Sequence, residues 1–458
     1  MQTHFPSGDS PDHGVGLLLA PFRGVRYDLS RVGGLANVTS PPYDVIGPGS
    51  LERLLAASPY NVVRLILPGG APGGAAPAED APGEVAAGRL RDWLAEGALA
   101  VDDSPALYVY EQRGADWVQR GLIGLVAVGT DAVHPHEGVM AGPVAGRREL
   151  MKKTRSNLEP ILLVYNGGAG VAGSGRSAGG SENGVGGRGG LAAPGDASRL
   201  TDLTADGQAP LACAVTDDGV THRLWAVTDP ATQAAIVRDL AARTALIADG
   251  HHRYAAYREL RAEMSGADGD SGPWDYGLAF LVDAQEYPLR LGAIHRVLPR
   301  LSLAEAASRA SEAFTVTAVT AETAFGRLAA AGESGTAFLL AGGAGYWLLT
   351  DPDQRQVEAA MPAEASHRWR ALDASVMQEL LLAQLWSIKD NERDVLISHD
   401  AAEAVRMAAD SGGTAVICNP MPLAAVMDIA AHGEKVPRKS TSFGPKPRTG
   451  LVLRTLES

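Results

Sequence analysis

The sequence predicts a mixed-sheet layered protein of the α/β to α+β class, and three observations support this. In the middle third, strand-like runs such as HRLWAVTD, ALIADG and GLAFLVDA alternate with helix-like patterns at about 230–243 and 251–264. Earlier, PALYVYEQR and RGLIGLVAVG are spaced like the two strands of a hairpin. The length of 458 residues is sufficient for two or three domains.

The N-terminal third begins with short elements. GVGLLLAPFRGVRYD and LANVTSPPYDVI predict a strand, a turn and a second short strand. Pro41 and Pro42 then hold the backbone extended, which directs Tyr43 and Asp44 from a loop. We predict a short helix at 50–57, a strand at 61–67, a Pro/Gly/Ala-rich loop at 68–83 and a helix at 84–97.

The sequence as a whole predicts four regions. An N-terminal α/β region with candidate catalytic loops spans 1–166 and ends in a helix at 146–156 and a strand at 160–166. A Gly/Ser-rich flexible insertion spans 167–198. A core with the sequence DGHHR spans 199–300, and a C-terminal α/β region spans 301–458. That last region ends in an extended stretch carrying four cations, Arg438, Lys439, Lys446 and Arg448.

Composition excludes several classes of protein. The formal net charge of −13 argues against a general nucleic-acid binder, which needs a concentrated basic surface. No apolar run reaches the roughly 18 residues of a membrane span. The two cysteines, Cys213 and Cys418, lack metal-ligand spacing and form no disulfide framework. The first 20 residues lack the basic start and apolar core of a signal peptide, so we expect a cytoplasmic location.

The DGHHR segment is the strongest candidate site. It places Asp249 and Gly250 between the apolar strand ALIA and a helix pattern, with His251, His252 and Arg253 in the first helical turn. Unpaired N–H groups and the positive end of the helix dipole favour an anion there, and Arg253 adds a fork suited to phosphate. Asp249 is either a helix cap or a ligand of magnesium. The alternatives are surface histidines beside a simple cap, and a zinc site that lacks a third ligand.

Four further clusters are candidates for the same site. Loops carry Tyr43 with Asp44 in SPPYD, and His136 with Glu137 in HPHE, although turn chemistry explains each equally well. AGRRELMKKTRSN predicts a solvated basic helix face from which Arg148 can reach a phosphate. PRKSTSFGPKPRTG is either a mobile tail or a segment that closes over the site and contacts the phosphate.

Three common motifs do not define a site here. GAGVAG at 168–173 matches the dinucleotide-binding pattern, but the residues after it stay Gly/Ser-rich and offer no helix N-terminus to a pyrophosphate. The sequence contains no Walker-type phosphate loop, and no nucleophile elbow of the G-x-S-x-G type. We therefore predict neither a Rossmann site nor a Walker-type NTPase.

The chain resembles the family of domain of unknown function 1015 proteins. The matching segments are PPYDVI, YVYEQ, PHE, RRELMKKTRSNLEPILLVY, IADGHHRYAAYREL, HRVL and PRKSTSFGPKPRTGLVL, which follow the family order across nearly the whole chain. Departures are Ala293 and Ile294, where a Pro-Thr pair is expected, and Gly444, where an aromatic residue is usual. The family name implies no activity.

DGHHR also resembles the phosphate-binding turn of the ParB/sulfiredoxin superfamily, and especially of free serine kinases of the SerK and SbnI type. This resemblance implies a ParB/sulfiredoxin-like nucleotide-binding core in which residues 249–253 bind nucleotide phosphates. Arg148, from the basic helix, is a further candidate for cofactor binding. Those kinases use an upstream glutamate as base, for which Glu137 is the first candidate here and Asp44 the second. His252 is a further catalytic candidate, and Asp249 is the candidate magnesium ligand.

These resemblances imply a phosphotransferase that uses ATP or ADP with Mg²⁺ and acts on a small hydroxylated metabolite, L-serine by analogy. The alternative is a nucleotide-binding regulatory switch related to ParB-type CTPases, without metabolite turnover. A sulfiredoxin-like redox enzyme needs a reactive cysteine beside the turn, and GHHR has none. The expected partners are a nucleotide and a small-molecule substrate, with no membrane or nucleic acid; a homo-oligomer is compatible with the sequence.

Overall fold

The structure, a computed structural model, describes residues 16–70, 81–168, 195–266, 269–391 and 393–457. The described residues form two compact units: those within 1–134, 139–289 and 445–458 belong to unit 1, and those within 135–138 and 290–444 belong to unit 2. These units differ from the regions predicted from the sequence. Strands from 1–166 and from 199–300 hydrogen-bond within one sheet, so these two regions share a core.

Unit 1 is built on a mixed sheet with the strand order β6-β11-β8-β12-β5-β4-β10-β9, to which β1 adds by pairing with β5. The pairs β11–β6 and β12–β8 are parallel, and the others are antiparallel. The strands of unit 1 are β1 Leu19–Ala20, β2 Val25–Tyr27, β3 Leu99–Val101, β4 Leu107–Arg113, β5 Val118–Ala127, β6 Val133–His134, β7 Ser156–Asn157, β8 Ile161–Tyr165, β9 Ala212–Val215, β10 Thr221–Val227, β11 Ala245–Asp249, β12 Tyr276–Asp283 and, near the C-terminus, β21 Arg454–Thr455.

Helices cover the sheet of unit 1. Its central strands are near-continuous apolar runs, as expected for strands buried on both faces, and they pack with helices α6, α7, α8 and α9 in one core. The helices are α1 Leu29–Val32, α2 Leu35–Val38, α3 Pro48–Ala57, α4 Val63–Ile66, α5 Pro82–Ala95, α6 Ala141–Thr154, α7 Asp196–Gly207, α8 Pro230–Leu240 and α9 His251–Met264, with 3₁₀ turns at Tyr43–Val45 and Pro273–Asp275.

Unit 2 contains a second sheet, of order β15-β17-β16-β19-β14-β18, and the separate antiparallel pair β13–β20. Apolar clusters lie on both of its faces. Its strands are β13 Arg290–Gly292, β14 His295–Leu298, β15 Thr315–Val319, β16 Phe338–Gly342, β17 Gly345–Thr350, β18 Leu396–Ser398, β19 Thr414–Cys418 and β20 Ser442–Gly444. Its helices are α10 Leu303–Ala310, α11 Ala321–Ser334, α12 Gln354–Ala360, α13 His367–Arg370, α14 Asp373–Ser375, the π-helix Val376–Leu385, α15 Ala401–Ser411 and α16 Leu423–Ala431.

The predicted fold class is confirmed, and two predicted strands are wrong. The apolar run at 61–67 contains the helical turn α4, and the Asn61 side chain accepts the N–H of Val63 at 3.0 Å, which favours a turn over an extended strand at this point. Residues 35–38 form α2, since the backbone N–H and hydroxyl of Thr39 both donate to the Leu35 carbonyl. Residues 169–194, which include all but the first residue of GAGVAG and most of the predicted insertion at 167–198, lie outside the described residues.

Within the described ranges, every helix is too short or too polar to cross a lipid bilayer.

Candidate functional site

The DGHHR segment forms a sharp turn from strand to helix in unit 1, as its sequence predicts. β11 ends at Asp249, Gly250 has a φ of 92°, and α9 begins at His251. A Cβ atom at Gly250 would lie 2.9 Å from Ile161 on the neighbouring strand, so glycine is required by both conformation and space. The hydrogen bond from Tyr254 N to Gly250 O, at 2.9 Å, shows that the helical turn starts at Gly250.

Arg253 braces this turn from within the protein. Its side chain is 2% exposed, and its guanidinium donates to the Pro160 carbonyl and to Asp249 Oδ2, each at 2.5 Å. Burial lowers the pKa of Arg253, but the nearby carboxylates, led by Asp249, more than offset that effect and keep the group charged. The fork predicted to grip a phosphate is therefore occupied by protein acceptors.

Lys446 supplies an accessible cation at the same turn. Its ammonium lies 2.6 Å from Asp249 Oδ1 and 2.6 Å from Asp44 Oδ2, and its side chain is 20% exposed. Burial lowers the pKa of Lys446, but the two carboxylates raise it by more. Burial raises the pKa of Asp44, whereas Lys446 and Arg253 lower it further, so Asp44 stays ionised. The structure thus brings together SPPYD, DGHHR and the PKPRTG stretch of the C-terminal segment.

Glu159 connects Tyr43 and Arg147 in the same region of unit 1. Its carboxylate is buried, accepts the Tyr43 N–H at 3.1 Å and pairs with Arg147 at 3.5 Å. The Arg147 guanidinium lies 4.3 Å from the centre of the Tyr43 ring. Burial raises the pKa of Tyr43 to about 12, although Arg253 and Arg147 oppose the shift. Sequence reasoning missed Glu159; the available signal was a carboxylate placed directly before Pro160 and a fully apolar strand.

We refer to six charged residues as the turn cluster: Asp44, Arg147, Glu159, Asp249, Arg253 and Lys446. Three carboxylates and three cations balance its formal charge. A cavity of about 520 Å³ adjoins the cluster at Arg147, and the neighbouring Tyr43 also lines it. The rest of its lining consists mainly of glycines and aliphatic groups of 67–70, 81–83 and α6. The cluster therefore lies beside a space large enough for a small organic group.

The two histidines of the turn differ in exposure. His251 is buried, whereas His252 is half-buried. His252 Nε2 accepts the N–H of Met140, the residue before α6, at 3.1 Å. The contact ties the start of α9 to the start of α6.

Other predicted residues lie outside the turn cluster. Arg148 pairs on the surface with Glu259 at 3.3 Å and Glu263 at 3.9 Å, both on α9. Glu137 belongs to unit 2, where it accepts the Lys439 N–H at 3.1 Å. His136 also belongs to unit 2, and its Nε2 hydrogen-bonds the Thr441 hydroxyl at 2.9 Å. Their catalytic and binding roles stay predictions.

The turn cluster does not fit a magnesium ion on Asp249 in this arrangement. One Asp249 oxygen pairs with Arg253 and the other with Lys446, so both are already neutralised. A divalent ion at that point would lie against the Lys446 ammonium. Among the described residues, no three histidine, cysteine or acidic side chains converge as metal ligands. We therefore derive no step through a metal held by Asp249.

The fold and the turn cluster define a mixed α/β protein with a charged strand-to-helix turn. The chain belongs to the family described as protein of unknown function (DUF1015), whose sequence model matches residues 19–173 and 191–375. The predicted family is thereby confirmed. No curated protein matches the chain.

Solved structures resemble the chain only distantly. A free serine kinase mutant in complex with AMP is 14% identical with a TM-score of 0.33, over 69% of this chain and 85% of its own. SbnI with a C-terminal truncation, from Staphylococcus aureus, is 13% identical with a TM-score of 0.34, over 70% and 82%. A conserved hypothetical protein from Pyrococcus furiosus is 14% identical with a TM-score of 0.33, over 71% and 93%. At these values the likeness says nothing about activity.

Proposed function

We propose that the protein is a nucleotide-dependent phosphotransferase acting on a small hydroxylated metabolite, with the turn cluster as its phosphate site. The observation that supports this most is the position of Lys446, a partly exposed ammonium held between two carboxylates at the start of a long helix. Helix N–H groups and an ammonium are the donors that phosphate oxygens require. L-serine is the first acceptor to test, and ATP and ADP are the first donors.

Each member of the turn has a proposed role. The N–H groups of 251–253 and the Lys446 ammonium bind the terminal phosphates, and Arg253 fixes the turn that carries these N–H groups. The substrate hydroxyl oxygen attacks the terminal phosphorus, the bond to the bridging oxygen breaks, and the shortened nucleotide leaves. Asp44 takes the hydroxyl proton, because it is the most exposed carboxylate beside Lys446. His252 and Glu137 remain alternative bases.

The cavity beside the cluster provides a place for an organic group. Its walls are mainly aliphatic and glycine backbone, with Tyr43 and Arg147 at the side of the turn cluster. Tyr43 and Arg147 offer a ring and a planar guanidinium on which a nucleobase can stack. We assign this cavity to the base of the nucleotide, which leaves the solvent side of Lys446 and Asp44 for the acceptor.

The test combines binding and turnover. Purified protein is incubated with ATP or ADP, L-serine and magnesium in the buffer, and phosphoserine is measured by ³¹P NMR. Nucleotide affinity is measured by calorimetry for the wild type and for Lys446→Met. Loss of one charge-assisted contact of about 1.5–3 kcal/mol predicts roughly 10- to 100-fold weaker binding.

A matched control is Lys152→Met, which removes a lysine that pairs with Glu263 on the surface. We expect its nucleotide affinity to equal that of the wild type. Unchanged affinity in a folded Lys446→Met variant would exclude the proposed phosphate site. Phosphoserine absent with both nucleotides, despite tight binding, would exclude the serine reaction.

One observation favours a second function, that of a nucleotide-binding switch without turnover. The pKa of Asp44 is lowered, so this carboxylate is a weak proton acceptor while Lys446 contacts it. The cation also comes from a C-terminal segment that pairs with the N-terminal loops through Ser40 and Thr449. Tight nucleotide binding that needs no co-substrate and yields no product with a panel of hydroxylated metabolites would favour the switch.

A further inference from the structure

Unit 2 contains a cavity of about 480 Å³ that the proposed phosphotransferase does not use. Its volume is in the range of small-molecule sites. Most of its lining is apolar and comes from the start of the π-helix region, the end of β19 and the start of α16. Its apolar side chains include Met377, Cys418 and Ala425. We propose that this cavity binds a small organic amine whose protonated nitrogen pairs with Asp373 and whose apolar body fills the rest.

Asp373 is the polar group that gives this cavity its specificity. The Thr336 hydroxyl and the Ala337 N–H, which directly precede β16, act as hydrogen-bond donors that lower the pKa of this carboxyl group. Burial raises the pKa of Asp373, and these two neutral donors only partly offset that effect. A carboxylate has about four lone-pair positions, so two donors leave acceptor capacity for a ligand. An ammonium group supplies N–H donors for the remaining lone pairs of the Asp373 carboxylate and a positive charge that balances its negative charge.

The other charges of the lining favour a cation over an anion. Arg368 is the lining guanidinium, and it already pairs with Glu434 at 2.5 Å and with Asp428 at 3.2 Å. Its charge is therefore compensated without a ligand. The lining contains two carboxylates, Asp373 and Asp428, and one guanidinium, Arg368, so it carries one net negative charge. A protonated amine neutralises that charge, whereas a carboxylate or phosphate ligand would add to it.

The backbone beside Asp373 is unusual. The segment Val376–Leu385 is a π-helix of 10 residues, in which Trp386 N donates to Leu381 O, five residues earlier, at 2.9 Å. π-Helical turns are rare, and they are frequent at functional sites. Two residues near the start of this helix line the cavity: Asp373, which precedes it, and Met377, which lies in its first turn. The irregular backbone thus presents a carboxylate and a soft apolar side chain to the same space.

Recognition in this cavity is noncovalent. Cys418 is its only thiol among the described lining residues, and burial raises the pKa of that thiol to about 12. Its Sγ lies 3.5 Å from Met377 Sδ, in apolar surroundings. A thiol with this pKa stays protonated at neutral pH and is a poor nucleophile. Cys418 therefore contributes apolar contact surface to the ligand.

The experiment uses the full chain and a matched pair of probes, 2-phenylethylamine and 2-phenylethanol, which differ in the charged group. Calorimetry at pH 7.5 is expected to give at least 10-fold tighter binding of the amine. Asp373→Asn is expected to remove that preference while leaving the alcohol affinity unchanged. Asp410→Asn, which changes an exposed aspartate on α15, is the control and should bind both probes like the wild type.

A second variant tests the cavity itself. Ala425→Phe fills the space with an aromatic ring and is expected to weaken both probes at least 10-fold. Equal affinity for amine and alcohol, no measurable binding of either probe, or an unchanged preference in Asp373→Asn would overturn the proposal. The measurements are made without nucleotide and repeated in Lys446→Met, whose amine affinity should equal that of the wild type. The outcome is therefore independent of the proposed phosphotransferase.

Discussion

Replacing Arg253 by methionine tests whether this residue braces the turn. The change keeps an unbranched side chain but removes the bonds to Pro160 and Asp249. Removing one partner of a buried ion pair costs about 3–5 kcal/mol, because the other charge is left uncompensated. Asp249 keeps Lys446 at 2.6 Å, so we expect the lower end, about 3 kcal/mol.

Hydrogen exchange measures this loss locally. About 3 kcal/mol corresponds to roughly 100-fold faster exchange of the amides in β11 and the start of α9, if these amides open together. Adding Asp249→Asn to Arg253→Met removes the uncompensated charge, so we expect the double variant to recover part of the protection. Arg258→Met changes an exposed arginine on the same helix and serves as the control. If Arg253→Met exchanged no faster than this control, the bracing role would be refuted.

Three further predictions concern the turn, pH and metal. Gly250→Ala should destabilise unit 1 by about 2 kcal/mol or more in urea unfolding, because φ is 92° and a Cβ would press on Ile161; a loss below about 0.5 kcal/mol would contradict this. Burial lowers the pKa of His222 to about 4, whereas in the unfolded chain this histidine has its ordinary pKa of about 6.5. As the pH falls from 6.5 to 4, the unfolded chain is protonated at His222 and the folded protein is not, so about 3 kcal/mol of stability should be lost. His222→Gln should flatten that slope, and an unchanged slope would assign it to other groups. Calorimetry without nucleotide should detect no magnesium binding at the turn cluster, because both Asp249 oxygens are paired with cations; a stoichiometric site removed by Asp249→Asn would show that Asp249 holds the ion after all.

Local patterns predicted the elements that carry the site. The apolar run ending at Asp249, the glycine and the following helix pattern gave the bounds of α9 as the structure has them. The same kind of pattern failed at 61–67, where a short apolar run fits a strand and a buried helical turn equally well. Asn61 decides between the two through its side-chain bonds to the backbone at positions 37, 39 and 63, which periodicity does not report.

The composition of the site was only partly predictable. Asp44 and Lys446 are 402 positions apart, and their contact depends on tertiary folding. The sequence marked both segments as polar clusters but left open whether the C-terminal one is a tail or a closure. Arg253 was predicted to bind phosphate because short motifs give residue types and spacing, not burial. Its 2% exposure reflects the packing of α9 against the start of β8, which the sequence of the turn alone does not contain.

In the proposed reaction, Lys446 couples phosphate binding to the readiness of the base. In the structure this ammonium holds Asp44 and Asp249 together, and its charge helps to keep the pKa of Asp44 below the usual value. A phosphate at the helix start competes for the same ammonium. As Lys446 turns towards phosphate, Asp44 loses its nearest cation, so its pKa rises and it becomes a better proton acceptor. A chain without the ammonium should therefore lose both phosphate affinity and this response. In ¹³C NMR titrations of the carboxylates, nucleotide should raise the pKa of Asp44 in the wild type and leave it unchanged in Lys446→Met; an equal rise in both would show that Lys446 does not provide the coupling.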